Sequence, residues 1–278
     1  MDIKNFLAVP GKFVSLKHFS TKDTPGISDK DEAKERMSKY TKKMQALQDT
    51  LYADNRVAIL LIFQAMDAAG KDSTIKHVMS GINPQGCQVF NFKQPSSEEL
   101  DHDFMWRTTK CLPEKGRIGI FNRSYYEEVL VVKVHPEIVL GQKLPGISSI
   151  EEISKDFWQK RYESMNDLEK HLTRNGTVVI KFFLHVSREE QADRFLKRIN
   201  DPEKNWKFSI GDIGEREHWD EYQKAYESMI RHTTTDYAPW YVIPADRKWY
   251  MQLAVSEIIL QRMESLELKY QELSDKQK

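Results

Sequence analysis

A run of seven apolar residues, Val57-Ala58-Ile59-Leu60-Leu61-Ile62-Phe63, leads through Gln64 into Ala65-Met66-Asp67-Ala68-Ala69-Gly70-Lys71-Asp72-Ser73-Thr74. A continuous apolar run of this length reads as a strand buried on both faces, as in a parallel sheet. The next segment, Ser73 to Ser80, is helical in pattern, with Gly81 as its stop. Strand, small-residue loop, Gly-Lys and helix together approximate the Walker A pattern, G-x-x-x-x-G-K-[ST]. Ala65 stands where the first Gly would be and Asp72 where the Ser/Thr would be, while Gly70 and Lys71 are in place. The physics survives both changes. Small residues at Ala68, Ala69 and Gly70 let backbone N–H groups face an anion. The helix start at Asp72 and Ser73 adds its positive dipole end, and Lys71 adds a point charge. The plainer alternative is a tight strand-to-helix turn with a solvated lysine.

The same theme recurs. Strands are predicted at 88–92, 117–121, 177–184 and 240–243, with helices at 29–50, 73–80, 97–110, 125–134, 151–174, 187–199, 215–232 and 246–273. Ser96–Glu99 and Ser187–Glu190 have the capping-box form. Strands alternating with helices imply βαβ crossovers and an α/β fold: three layers, α/β/α, around a five-stranded parallel sheet. The expectation is one domain over 1–278, with 1–28 irregular. The terminal helix is expected to pack on the sheet, a dimer contact being the alternative.

Asp67 is unusual, because a carboxylate beside phosphates is repulsive unless a cation or proton intervenes. It reads as a Mg²⁺ ligand or a group orienting an acceptor phosphate; a turn-capping Asp is the alternative. Ligands of open α/β sheets sit outside the carboxyl ends of strands. Asn122 and Arg123, ending the third strand, are therefore expected to face Lys71. A Walker B Asp is expected where Asn122 stands, and Asn offers a metal only a carbonyl oxygen. Arg123 can clamp phosphate oxygens with two bonds. Arg188, Arg194, Arg198 and Lys207 lie after the fourth strand, in a stretch that reads as a lid over an anion. For Lys197 and Lys204 a solvated helix face is the better reading.

Lys plus Arg and Asp plus Glu are equal at 42 each, so net charge lends no support to nucleic-acid binding. A polyanionic partner would need a local basic patch. The eight histidines show no close zinc-like spacing, and Cys87 and Cys111 read as idle thiols in a reducing compartment. No apolar run approaches the roughly 18 residues of a membrane helix, and the N-terminal stretch lacks a signal-peptide core. A cytoplasmic protein is expected.

Taken together, residues 65–72, Gly81-Ile82-Asn83-Pro84-Gln85-Gly86 and Phe121-Asn122-Arg123-Ser124-Tyr125-Tyr126-Glu127 resemble the polyphosphate kinase 2 family. So do Lys181–His185, Asp201–Lys207 and Ala238–Asp246, in order along roughly 30–265. The resemblance implies a P-loop core like that of thymidylate kinase, with a helical lid at about 188–215. It implies transfer of the terminal phosphoryl group of inorganic polyphosphate to AMP or ADP, or the reverse, with Mg²⁺ or Mn²⁺. By position Asp67 resembles the catalytic carboxylate, Lys71 the Walker lysine, and Arg123 and Arg188 phosphate-binding arginines. Many members have Asp where Asn122 stands, and the Asn form resembles the class that accepts both AMP and ADP. A homo-oligomer, dimer or tetramer, is expected. The rivals are an ATP-dependent nucleotide kinase of the same fold and a non-catalytic nucleotide or polyphosphate sensor.

Overall fold

In the computed structural model, which describes residues 1–271, the apolar run becomes β1, Ala58–Ala65, buried along its whole length. Ile59, Leu60, Leu61 and Ile62 are wholly enclosed. Burial of each such side chain contributes about 1.5–3 kcal/mol, so this strand has no stable place at an edge. It sits at the centre of a five-stranded, all-parallel sheet with order β2-β3-β1-β4-β5. Its partners are β2, Cys87–Asn91, β3, Ile118–Asn122, β4, Thr177–His185, and β5, Trp240–Pro244. The parallel five-stranded expectation is met.

Helices cover both faces. On one side α1, Lys30–Asp54, and α2, Lys71–Val78, pack with the last helix, Lys248–Glu264. On the other side α3, Lys155–Arg174, lies against β4 and beside the helix Trp219–Thr233. Between β4 and that helix come α4, Arg188–Asn200, a 3-10 turn at Asn205–Lys207, and α5, Ile210–Glu217. The helices Trp219–Thr233 and Lys248–Glu264 are α6 and α7. Helix α7 is buried on nearly every side between α1 and the sheet, the packing that its apolar residues suggest. The helix expected to run to 273 ends at Glu264, and residues 272–273 lie outside the described ones.

Two expected helices are broken. The stretch 97–110 is two short turns, Ser97–Leu100 and Trp106–Thr109. Asp103 Oδ1 accepts from the Met105 N–H at 2.9 Å, an Asx-type bond that competes with helix continuation. The stretch 125–134 splits into a 3-10 turn, Tyr125–Val129, and a short helix, Val131–Val134. The capping box at Ser96 is complete. At Ser187 only half forms, because Glu190 Oε1 accepts from Arg194 Nε at 2.8 Å instead of reaching back to the Ser187 N–H.

The register sets the site. Phe63 of β1 is level with Asn122 of β3, and Asn122 with Asn91 of β2. Ala65 is level with Leu184 of β4. The chain segments leaving β1, β3 and β4 therefore start at one edge of the sheet, beside the point where the strand order reverses.

Candidate active site

The loop after β1 turns on two left-handed residues, Ala68 at φ 60° and Gly70 at φ 105°. Gly70 begins α2 as its N-cap. A Cβ there would come within 3.2 Å of Met251 Cε and 3.3 Å of Ser73 Oγ, and the left-handed dihedral would strain any larger residue. Lys71 folds back, and its Nζ donates to the Ala65 carbonyl at 2.8 Å. Burial lowers the lysine's pKa, as does the Arg123 charge; Asp67, Glu127 and Asp72 act in the opposite sense.

β3 delivers Asn122 and Arg123 to the same place. Asn122 Nδ2 donates to Asp72 Oδ1 at 2.6 Å, tying the end of β3 to the first turn of α2. The carbonyl oxygen of Asn122 is then the atom it could offer a cation. Arg123 has φ 64°, a conformation that costs a non-glycine residue about 1–3 kcal/mol. It is held by its N–H bond to the Phe63 carbonyl at 3.0 Å. Its Nη2 donates to Asp67 Oδ1 at 2.8 Å, and Nη1 lies 3.7 Å from Glu127. Glu127, followed by Asp67, keeps the guanidinium firmly charged. Burial raises the carboxyl pKa of Glu127 itself, against the pull of Arg123 and Lys71.

Beneath Arg123 lies a closed polar core. The Tyr125 and Tyr126 hydroxyls donate to Glu169 Oε1 at 2.9 and 2.6 Å. Lys181 Nζ, fully enclosed in β4, donates to Glu169 Oε2 at 2.6 Å, to the Thr233 carbonyl at 2.7 Å and to the Tyr126 hydroxyl at 3.0 Å. An ion pair in the core is tolerated only with this degree of hydrogen bonding. It fixes the two residues that follow the Arg123 turn.

The loop opens onto a crevice of about 600 Å³. Asp67, Lys71 and Arg123 line its floor, and Lys197, Arg198, Lys204 and Lys207 approach from the segment after β4. Arg198 and Lys207 are thus where the sequence places them; Arg198 is also 3.6 Å from Asp212. Lys197 and Lys204, read as solvated, line the crevice too, although Lys204 pairs with Asp201. Trp206 lines it too, within the stretch read as the lid. Lys93 and Lys248 also line it and were missed, because single residues far apart in sequence leave no local pattern.

Two arginines are placed differently from expectation. Arg188 is exposed at the first turn of α4 and is not among the residues lining the crevice. Its backbone carbonyl accepts from Arg216 Nη1 at 2.7 Å. Arg194 does line the crevice, yet it is nearly enclosed under the loop, with its donors engaged by carbonyl oxygens of the loop and of the segment after β5, and by Glu190.

The donor set suits a hard cation. Among the described residues no three His, Cys, Asp or Glu side chains gather as a closed metal cage. Asp67 is partly exposed at the crevice, and Asp212 lines it as well. Asp212 has its carboxyl pKa raised by burial and then by the charge of Asp67, so the two carboxylates feel each other. One or two carboxylates, with the rest of the shell from water and substrate phosphates, is how Mg²⁺ is usually held.

Comparison with known proteins points one way. The family described as Polyphosphate kinase 2 (PPK2) matches residues 27–271. An "ADP-polyphosphate phosphotransferase" of Rhodopseudomonas palustris is 54% identical over 269 residues, covering 97% of this chain and 92% of that one. An "AMP/ADP-polyphosphate phosphotransferase" of Meiothermus ruber is 41% identical, covering 96% and 95%. The crystal structure of polyphosphate kinase 2 from Arthrobacter aurescens TC1 superimposes with a TM-score of 0.88 at 36% identity, over 97% of this chain and 91% of that one. With a Gly-Lys loop at the start of α2, a basic crevice and a match across nearly its whole length, the chain belongs to the polyphosphate kinase 2 family.

Proposed function

We propose that this chain transfers the terminal phosphoryl group of inorganic polyphosphate to AMP, ADP or both, reversibly and by in-line displacement. The observation that carries the reading is the loop carboxylate Asp67, held by Arg123 at 2.8 Å on the floor of a crevice walled by lysines and arginines. The names of the two relatives, one for ADP and one for AMP and ADP, support the same substrates. Lys71 and the free loop amides, those of Ala68 and Gly70 among them, hold phosphate oxygens, and Arg123 neutralises charge as it spreads over the transferred group. Arg198 and Lys207, with Lys204, Lys93 and Lys248, give a long anion a track of positive charge. Asp67 and the Asn122 carbonyl would hold Mg²⁺ or Mn²⁺, which would supply positive charge against the phosphate oxygens.

The segment from α4 to α5 acts in this reading as the lid. Trp206 and Ile210 are exposed on it, at 77% and 82%, and would be covered on closure. A second cleft of about 230 Å³ on the β2–β3 side is lined by Phe104, Phe157, Leu100 and Gln142, a setting suited to a nucleobase. Assembly as a homo-oligomer and a cytoplasmic location belong to the same reading; no helix among the described residues is long and apolar enough to cross a membrane.

The test is phosphoryl transfer by Lys71→Ala and Asp67→Ala. Both variants are expected to lose transfer while keeping the wild-type thermal midpoint within a few degrees. Turnover near that of the wild type in either would remove the assignment.

A further inference from the structure

Every N–H of the Arg194 guanidinium has an acceptor. Nη1 donates to the carbonyls of Ala68 at 3.1 Å and Ala69 at 2.6 Å. Nη2 donates to those of Ala245 at 2.6 Å and Asp246 at 3.2 Å. Nε donates to Glu190 Oε1 at 2.8 Å. The whole donor fork is thus engaged, in a residue only 4% exposed. Three residues earlier on the same helix, Gln191 Nε2 donates to the Asp67 carbonyl at 2.9 Å, and its Oε1 accepts from Arg216 Nη1 at 2.9 Å.

Three consecutive loop carbonyls, those of Asp67, Ala68 and Ala69, are therefore drawn towards α4. In a trans peptide the carbonyl and the next N–H point in opposite directions. Drawing these carbonyls back turns the N–H groups of Ala68 and Gly70 to the other side; that of Ala69 is taken by the Met66 carbonyl at 3.2 Å. Ala68 and Gly70 both line the crevice. The left-handed dihedrals at these same two residues are what such a turn of the backbone requires, and a concave run of amides of this kind attracts anions.

We propose that Arg194 is a positioning residue of the phosphate loop, working with Gln191 to hold its carbonyls back so that its amides are set for an anion before one arrives. This rests on the loop being the phosphate site. It differs from direct phosphate binding, for which any cation at the position would serve. A lysine has three donors on one point and cannot reproduce a planar fork that reaches the loop, β5 and Glu190 at once.

The experiment titrates inorganic tripolyphosphate into wild-type protein, Arg194→Lys, Arg194→Met, Gln191→Met and, as a control for direct binding, Lys207→Ala. Calorimetry over a salt series reads affinity, and a thermal melt confirms folding. Removing a cation that binds phosphate directly should reduce the steepness with which affinity falls as salt rises. Lys207→Ala should show that flattening. Arg194→Lys is expected to bind at least about tenfold more weakly with the wild-type slope, since its charge is kept and only the fork is gone. Gln191→Met, which leaves Arg194 intact and conserves volume, should weaken binding in the same way. The proposal is overturned if Arg194→Lys binds within about threefold of wild type while Arg194→Met flattens the slope, the pattern of direct phosphate binding. It is equally overturned if the folded Arg194 and Gln191 variants bind as the wild type does. A wild-type protein that does not bind tripolyphosphate would remove the phosphate-site reading itself, a distinct result.

Discussion

Arg123 Nη2 stands 2.8 Å from Asp67 Oδ1, so the end of β3 and the loop after β1 are closed by one ion pair across the floor of the crevice. Both partners are about a third exposed, so the pair adds little to stability, on the order of 0–1 kcal/mol. Its meaning is chemical. In the proposed reading, an incoming cation or phosphate exchanges with a partner already in place, and the pair holds each residue ready for it. Asp67→Asn is expected to lower kcat by about a hundredfold or more while shifting the urea midpoint hardly at all. A large loss of stability with intact turnover in the remaining folded protein would contradict this division.

Asn122 and Asp72 form a second tie, at 2.6 Å. Asn122→Asp puts two carboxylates in hydrogen-bond contact, so one must take up a proton or the end of β3 and the first turn of α2 must part. The variant is expected to lose about 1–3 kcal/mol of stability at pH 8 and less at pH 5. The exchange Asp72→Asn with Asn122→Asp should recover most of it. Urea unfolding of the double-mutant cycle at both pH values reads the coupling.

The core pair Lys181–Glu169 carries more of the fold. Glu169→Gln leaves a fully buried ammonium without its counter-charge, and a loss of about 3–5 kcal/mol is expected. Tyr125→Phe removes one hydroxyl bond and should lose about 1 kcal/mol. Chemical denaturation that ranked them in the opposite order would show that the ion pair is not what supports the Arg123 turn.

His185, at the end of β4, has its pKa lowered to about 4, chiefly by burial. The unfolded chain, with an ordinary imidazole, therefore binds a proton first as pH falls. Stability from this residue is full above about pH 6.5 and is lost progressively down to about pH 4, by on the order of 3 kcal/mol. His185→Gln should flatten that acid limb. Urea midpoints between pH 4 and 7 that fall as steeply in the variant as in the wild type would show that other groups set the slope.

In the proposed reading, the cleft lined by Phe104 and Phe157 takes the nucleoside and the basic crevice takes polyphosphate. Phe157→Ala is expected to raise KM for the nucleotide severalfold and leave KM for polyphosphate unchanged. A shift in the polyphosphate KM alone would move the nucleoside elsewhere.

Much of this was legible in the residues. β1 could be read because seven apolar residues in succession have one destination, and the loop because Gly70-Lys71 follows it directly. Asn122 and Arg123 could be placed because strand ends in a parallel sheet share an edge. What escaped was the use of side chains. Arg194 read as one of the lid arginines over an anion; that its donors face loop carbonyls instead depends on how α4 docks, which no spacing encodes. Arg188 stands at the right end of the right helix, yet its side chain lies outside the crevice lining. The break at Asp101–Met105 reflects one Asx bond winning over a good helical pattern.

The central claim is that inorganic polyphosphate is the phosphoryl donor and AMP or ADP the acceptor. The direct measurement is to give the protein AMP or ADP with Mg²⁺ and either polyphosphate or ATP, and to resolve the nucleotides over time. With polyphosphate, AMP should yield ADP and ADP should yield ATP, each lost in Asp67→Ala. Transfer from ATP alone, with none from polyphosphate, would contradict the account.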